Sequence, residues 1–210
     1  MKHPKLKETG ESITIHAPSV PSSLEAWQNA DAIAVVTPGA SVPTHLNGLP
    51  LTPWAAPSTT AAWLDAALGA PIDEPAPKGA SISAAGVVIE ESDGRIWIVA
   101  PTNAYGGYSA TFPKGRPESG LSLQQTAIRE AWEESGLHVE LVAFFMDVQR
   151  TSTRTRYYRA RRVGGNPAEM GWESQAVMLV PRSQLRHIVT ASTDVPLIEA
   201  LVKDAVIKRG

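Results

Sequence analysis

The sequence predicts an α/β chain of the α+β kind: a mixed β-sheet with helices packed on its faces, behind a Pro-rich N-terminal extension. Three observations point there. Strand and helix patterns intermix without the strict β-α-β alternation of a doubly wound parallel sheet. Apolar residues make up 43% of the 210 residues, enough for a real core. Composition also breaks near residue 80. All twelve arginines follow residue 94, whereas eleven of the seventeen prolines precede residue 80. Around 71–79 the chain reads PIDEPAPKG, a proline-dense aperiodic linker. The expected division is therefore an extension over 1–80 and a domain over 81–210.

In the extension, 32–37 is expected as a short strand. Residues 58–68 read as an Ala-rich helix with Gly69 just past its end. Between them SVPTHLNGLPLTPW is rich in turn residues. Trp27, Trp54 and Trp63 argue for order rather than disorder. Three roles stand open for this part: a homodimer contact, an aromatic wall over a site, or a packing cap on the sheet.

Beyond residue 80, 83–91 and 95–100 are strands joined by the hairpin chemistry of Ser92-Asp93-Gly94. A helix is expected over 122–135. Strands follow at 139–148 and 151–163, paired as a hairpin, and at 176–180. A short helix over 182–188 and a closing helix over 195–208 complete the pattern.

Composition removes several functions. The net charge of −2 supplies no field toward nucleic acid or anionic lipid. With no cysteine there is no thiol catalysis and no Cys-ligated zinc. Runs such as AIAVV are far too short to span a bilayer, and the polar first residues hold no apolar signal core. A soluble cytoplasmic protein is expected. There is no G-x-S-x-G elbow and no nucleic-acid-binding module, and the five histidines lack metal spacing.

The chemistry is concentrated in SLQQTAIREAWEESGL, 122–137. Ser122 and Gln125 fit a capping box, and Gly136 fits a left-handed stop. Leu123, Ala127, Ile128, Ala131 and Trp132 share the face expected to pack on the sheet. Glu130, Glu133 and Glu134 share another face. Like charges at this spacing cost about 0.2–0.5 kcal/mol per pair. Carboxylates in a last turn also oppose the helix dipole. A hard divalent cation would reverse both signs, although spacing alone also fits a solvated acidic face.

Together with TFPKGRPESGL upstream, this stretch resembles the signature of the Nudix hydrolase family, G-x5-E-x7-R-E-U-x-E-E-x-G-U with U a bulky apolar residue. Gly115 opens it, and Arg129-Glu130-Ala131-Trp132-Glu133-Glu134-Ser135-Gly136-Leu137 completes it at the right spacing. Ala131 is smaller than usual for the family. Leu121 stands where the family has its first glutamate, which leaves the partner of Arg129 open; Glu118 is a candidate replacement.

The resemblance implies a Nudix fold, a mixed sheet sandwiched between helices. It implies that Glu130, Glu133 and Glu134 hold Mg²⁺ or Mn²⁺, that Arg129 orients carboxylates, and that a diphosphate link is hydrolysed. A base is implied from the helix glutamates or from Glu173. Lys114, Gly115 and Arg116 are expected at a nucleotide or polyphosphate substrate. The Pro-Lys-Gly run also resembles members acting on dinucleoside polyphosphates. In RTSTRTRYYRARR, 150–162, arginines interleave with tyrosines. Arg156 and Tyr158 are expected on a phosphate- and base-binding face, with local salt bridges as the plain alternative. A nucleotide sensor that does not cleave and an RNA 5′-end pyrophosphohydrolase are the competing functions.

Overall fold

Residues 1–66, 69–77 and 81–207 are described by the computed structural model. The chain begins with an antiparallel hairpin of β1 (Lys2–Leu6) and β2 (Ser12–Thr14). It continues through α1 (Leu24–Gln28), β3 (Ala34–Val36), the small hairpin β4 (His45–Leu46) and β5 (Leu49–Pro50), and α2 (Thr60–Asp65). Then come β6 (Ala84–Glu90), β7 (Ile96–Pro101), β8 (Lys114–Gly115), α3 (Leu123–Ser135), β9 (Leu137–Gln149), β10 (Arg154–Gly165), β11 (Ser174–Val180), α4 (Leu185–Ile188) and α5 (Val195–Ile207).

The main sheet runs β3-β11-β7-β6-β10-β9, with β8 also paired to β6. β10 lies parallel to β6 and the other pairs are antiparallel, so the sheet is mixed as expected. Its central strand β6 is buried along nearly its whole length. Val87 and Ile89 face one core, which α3 completes with Ala127, Ile128 and Ala131. Val88 faces the other, which Leu185, Leu197, Ile198 and Leu201 close. Period-2 alternation thus feeds two apolar layers.

One irregularity in this sheet positions the site. β7 pairs with β6 at Ile96–Glu90 and then diverges. The gap is filled by 111–115: Thr111 bridges Val99, the Val87 N–H donates to the Pro113 carbonyl at 3.0 Å, and Lys114 pairs with Gly86. A Cβ on Gly86 would stand 2.6 Å from the Tyr157 ring and 2.7 Å from the Pro113 oxygen, so only glycine lets the segment in.

The capping box of α3 is present on both sides, and Gly136 ends the helix at φ 70°. The 58–68 helix is shorter than expected. Thr59 caps it through Ala62 N–H at 3.1 Å, and Ala66 leaves it in an extended conformation, so Gly69 is not its stop. Its residues 67–68, the linker residues 78–79, the boundary at 80 and Lys208 lie outside the described residues.

Composition changes near residue 80, but the core does not. β3 is the sheet's edge strand beside β11. Trp27, Leu46, Leu51 and Trp63 join the core that α3 closes. Trp54 stacks on His138 at 3.9 Å and 8°, edge-on to Trp63 and Trp132. Arg95 donates to the carbonyls of Ala26, Trp27 and Asn29, and Arg162 to those of Leu46 and Pro50. For its tryptophans, the extension acts as the packing cap. No described helix is long and apolar enough to cross a membrane.

Candidate active site

Helix α3 delivers Arg129, Glu130, Glu133 and Glu134 beside the split in the sheet. The left-handed Gly136 turns the chain away, and its N–H donates to the Trp132 carbonyl at 2.7 Å. The Gly171 N–H donates to the Glu133 carbonyl at 2.7 Å, satisfying an orphan group of the last turn. A Cβ on Gly171 would lie 2.3 Å from that oxygen, so glycine permits the approach. This contact docks the loop before β11 on the helix end. Glu173 follows on that loop, its carbonyl accepting from the Thr102 N–H at 2.7 Å.

Each side chain has its own restraint. Glu134 is buried, and one carboxylate oxygen accepts the Lys114 backbone N–H at 3.0 Å. Glu130 lies so close to Gly115 that a Cβ there would sit 2.0 Å from its Oε1. Arg129 donates from Nε to Glu133 at 2.7 Å and reaches Glu118 from Nη2 at 2.5 Å. Glu118 also accepts the Thr60 hydroxyl, linking the loop to the extension.

The electrostatics are those of crowded acids. Burial pushes the Glu130 carboxyl well above its ordinary pKa, and the charges of Glu134, Glu133 and Glu173 push it further. Glu134 is raised by burial and then by Glu173 and Glu133, while Lys114 opposes. Burial also raises Glu133 despite Arg129. Glu173 is more exposed, yet its pKa rises with partial loss of solvent and with the charge of Glu8.

Two cavities meet at these carboxylates. A cleft of about 760 Å³ is lined by Lys114, Glu134 and Glu173 together with Tyr105, Tyr108 and Trp172. A smaller pocket of about 160 Å³ is lined by Arg116, Glu118, Arg129, Glu130, Glu133 and Glu173, among others. Glu173 borders both.

A family model described as NUDIX domain matches residues 81–201, more than half of the chain. The chain belongs to the Nudix family. Its enzyme class is pyrophosphohydrolase, acting on acid anhydrides. Among solved structures it is similar to an Ap4A hydrolase from C. elegans, at 19% identity and TM-score 0.49 over 60% of this chain and 98% of that one. It is also similar to MutT from Aliivibrio salmonicida and Vibrio cholerae, at 23% identity and TM-score 0.47 over 59% and 98%. A NUDIX hydrolase from Nitrosomonas europaea matches at 20% identity and TM-score 0.48 over 60% and 73%.

Within this Nudix domain, Arg129, Glu130, Glu133, Glu134 and Gly115 lie together, with Glu173 beside them. Lys114 lines the large cleft, and the exposed Arg116 lines the small pocket. Arg156 and Tyr158 require correction, because neither is on an open binding face. Arg156 is 2% exposed and grips Asp147 through two nitrogens at 2.8 and 2.9 Å. Tyr158 is fully buried and donates its hydroxyl to Glu74. Arg156 ties β10 to β9, and both residues tie it to Glu74 in the segment before β6. Sequence reading missed Tyr108, Trp172 and the β1–β2 hairpin at the cleft, since no local pattern marks them.

The donor set suits a hard divalent cation: several partly buried carboxylates that repel one another, in a space kept open at Gly115. Among the described residues no three His, Asp or Glu side chains stand ready-made to hold an ion. Glu133 is engaged by Arg129, and Glu134 by the Lys114 amide.

Proposed function

We propose that the chain hydrolyses a P–O–P linkage in a nucleoside diphosphate joined to another moiety, a dinucleoside polyphosphate being the first candidate, with Mg²⁺ or Mn²⁺ as cofactor. One observation carries the reading. Glu130, Glu133, Glu134 and Glu173, all with raised pKa values, converge where a cleft containing Lys114 and aromatic side chains meets the carboxylate pocket.

Glu130, Glu133 and Glu134 would hold the cation. When bound, it supplies charge neutralisation to the diphosphate and a more acidic water. Arg129 fixes the Glu133 carboxylate, and the Lys114 amide fixes that of Glu134. The Lys114 ammonium binds phosphate oxygens by charge-assisted hydrogen bonds, with Arg116 approaching from the small pocket. Glu173, bordering both cavities, takes the proton as the water oxygen bonds to phosphorus and the P–O bond to the leaving phosphate breaks. Tyr105, Tyr108 and Trp172 provide aromatic surface for a nucleobase. At about 760 Å³ the cleft suits a nucleotide-sized ligand, since such sites run roughly 300–1,000 Å³.

The competing functions lose their motives. RNA 5′-end chemistry leaned on the 150–162 arginines, and these are paired with acids. A non-cleaving sensor leaned on Leu121, and Glu118 partners Arg129 in its place. The test is turnover with Mg²⁺ and with Mn²⁺ on dinucleoside polyphosphates, nucleotide sugars, ADP-ribose, nucleoside triphosphates and 5′-triphosphate RNA, followed by ³¹P NMR. Metal-dependent cleavage of a dinucleoside polyphosphate is expected. Tight nucleotide binding without cleavage of any member would sink the reading.

A further inference from the structure

Resting on the reading above, we propose that Tyr108 is a positioning residue. Its ring holds the Lys114 ammonium clear of the active-site carboxylates and free to take a phosphate oxygen, and the buried Arg150–Asp194 pair holds the ring.

Lys114 stands where a lysine would ordinarily find an acid. It lines the large cleft with Glu134 and Glu173, and its charge opposes the rise that burial gives to both carboxyl pKa values. Attraction between opposite charges grows as water is excluded, so the ammonium is drawn toward either carboxylate. Nevertheless, among the described residues its Nζ makes no hydrogen bond and no ion pair. It stands instead over the Tyr108 ring, 5.7 Å from the centroid. A ring face attracts a cation within roughly 6 Å. A lysine closed on Glu134 or Glu173 would offer a phosphate less charge and would occupy oxygens that a metal needs. Held over an aromatic face, it keeps its N–H donors for an incoming anion.

Tyr108 is itself restrained. It is half-buried, and a Cβ on the left-handed Gly106 would come within 3.2 Å of two of its ring carbons. The Arg150 guanidinium lies over the same ring, with Cζ 5.1 Å from the centroid. Arg150 is buried in the turn between β9 and β10. Its Nη1 donates to Asp194 and, at 3.2 Å, to the Tyr157 hydroxyl, while Nη2 has no hydrogen-bond partner among the described residues. A buried donor without an oxygen is costly, and the Tyr108 ring face offsets part of that cost. Asp194 neutralises Arg150, so two cations can share one ring. Burial acts to raise the Tyr108 pKa, yet Thr193 and Arg150 bring it below its ordinary value, as expected of a hydroxyl turned toward this buried group. Asp194 also accepts the Thr111 hydroxyl at 2.9 Å. Thr111 opens the 111–115 segment, whose Lys114 N–H holds Glu134. Asp194 therefore reaches Lys114 by two routes: along the backbone to its amide, and through Arg150 and Tyr108 to its ammonium.

The test is calorimetric binding of inorganic diphosphate with Mg²⁺ by the full chain, a probe with no base to stack on Tyr108. Lys114→Met should weaken binding most. Tyr108→Leu should weaken it roughly three- to tenfold, and Tyr108→Phe should stay near wild type because the ring remains. Arg150→Lys should lose part of the affinity, since a point charge replaces the flat guanidinium. In the Lys114→Met background, Tyr108→Leu should change nothing further. Arg161→Met, on an exposed pair away from the cleft, should match wild type. Wild-type affinity in Tyr108→Leu, or losses that multiply in the double variant, overturns the positioning role and leaves the proposed function standing. Wild-type affinity in an Arg150→Lys variant that melts cooperatively overturns the part given to Arg150. The expected order of diphosphate affinities in a chain that cleaves no P–O–P substrate overturns the proposed function and leaves the role of Tyr108 at Lys114.

Discussion

Two runs of like charge stand in this chain, and the fold treats them oppositely. On β10 and the turn before it, every arginine has an acid. Arg150 meets Asp194, Arg154 and Arg156 meet Asp147, Arg159 meets Asp204, Arg161 meets Glu140 and Arg162 meets Glu91. On α3 the acids are left short of cations. Glu133 has Arg129, Glu134 has a backbone N–H, and Glu130 has no hydrogen bond or ion pair among the described residues. Burying charge without a partner is costly, so a fold neutralises charges that serve architecture. A run it leaves under-neutralised and crowded is where an outside cation can bind. Sign and spacing in sequence do not distinguish the two cases; the partner inventory does.

The largest test of this contrast is on turnover. Glu133→Gln and Glu134→Gln should each lower turnover by roughly two orders of magnitude, the scale of losing one electrostatic contribution in an active site. Melting without metal should hold or rise. Full activity in both variants would show that the α3 charges are as architectural as those of β10. The mirror experiment is Arg162→Met. Its guanidinium is fully buried against Glu91, which also accepts the Trp97 indole N–H at 2.9 Å. Breaking such a pair costs about 3–5 kcal/mol by leaving a buried charge alone. Arg161→Met, at a 64% exposed side chain, should cost about 0–1 kcal/mol. Chemical denaturation of the two variants gives both numbers. Equal costs would mean that burial does not set the value of these pairs.

A smaller effect follows from the cation itself. Binding to the native state alone should add about 2.7 kcal/mol at a hundredfold excess over Kd. Millimolar Mg²⁺ or Mn²⁺ should therefore raise the melting temperature of wild type, and much less so that of a Glu130, Glu133 and Glu134 triple Gln variant. An equal rise in both would detach metal binding from the α3 carboxylates.

The helix was legible from sequence because its signals are local. Ser122 and Gln125 are three residues apart, Gly136 follows the last turn, and the acids fall on one face by helical geometry. The sandwiched mixed sheet was legible from the intermixed strands and helices. Arg156 and Tyr158 were misread for a physical reason: alternation shows which residues share a face and says nothing about whether another layer covers it. Here Glu74 and Asp147 cover it. The β1–β2 hairpin was invisible because KHPKL is polar and interrupted by Pro4, and its pairing depends on contacts such as His3 to Ser174. Glu173 was in view as a candidate base from a later loop; its nearness to α3 depends on the Gly171 contact.

The finest test concerns the boundary between the two kinds of charge, where Arg129 joins the acids. Leu121 is 8% exposed and packs in the core, while Glu118 holds the guanidinium that a glutamate at 121 would otherwise meet. Glu118→Ala leaves Arg129 with Glu133 alone. The Glu118 side chain is 42% exposed, so the stability cost should be only about 0–1 kcal/mol. Turnover should fall as Arg129 draws more fully on Glu133 and the tie from the loop to Thr60 is lost. Leu121→Glu alone should destabilise, because it replaces a packed apolar group with a carboxylate while Arg129 is already engaged. In the Glu118→Ala background the same change meets an arginine with a free side, since Leu121 and Arg129 line the same pocket. The double variant should therefore lose less than the sum of the single losses, by about 0.5–3 kcal/mol for groups in contact. A double-mutant cycle on denaturation and turnover measures that difference. Simple additivity would mean that a carboxylate at 121 does not reach Arg129, and that Glu118 anchors the loop on its own terms rather than as a substitute.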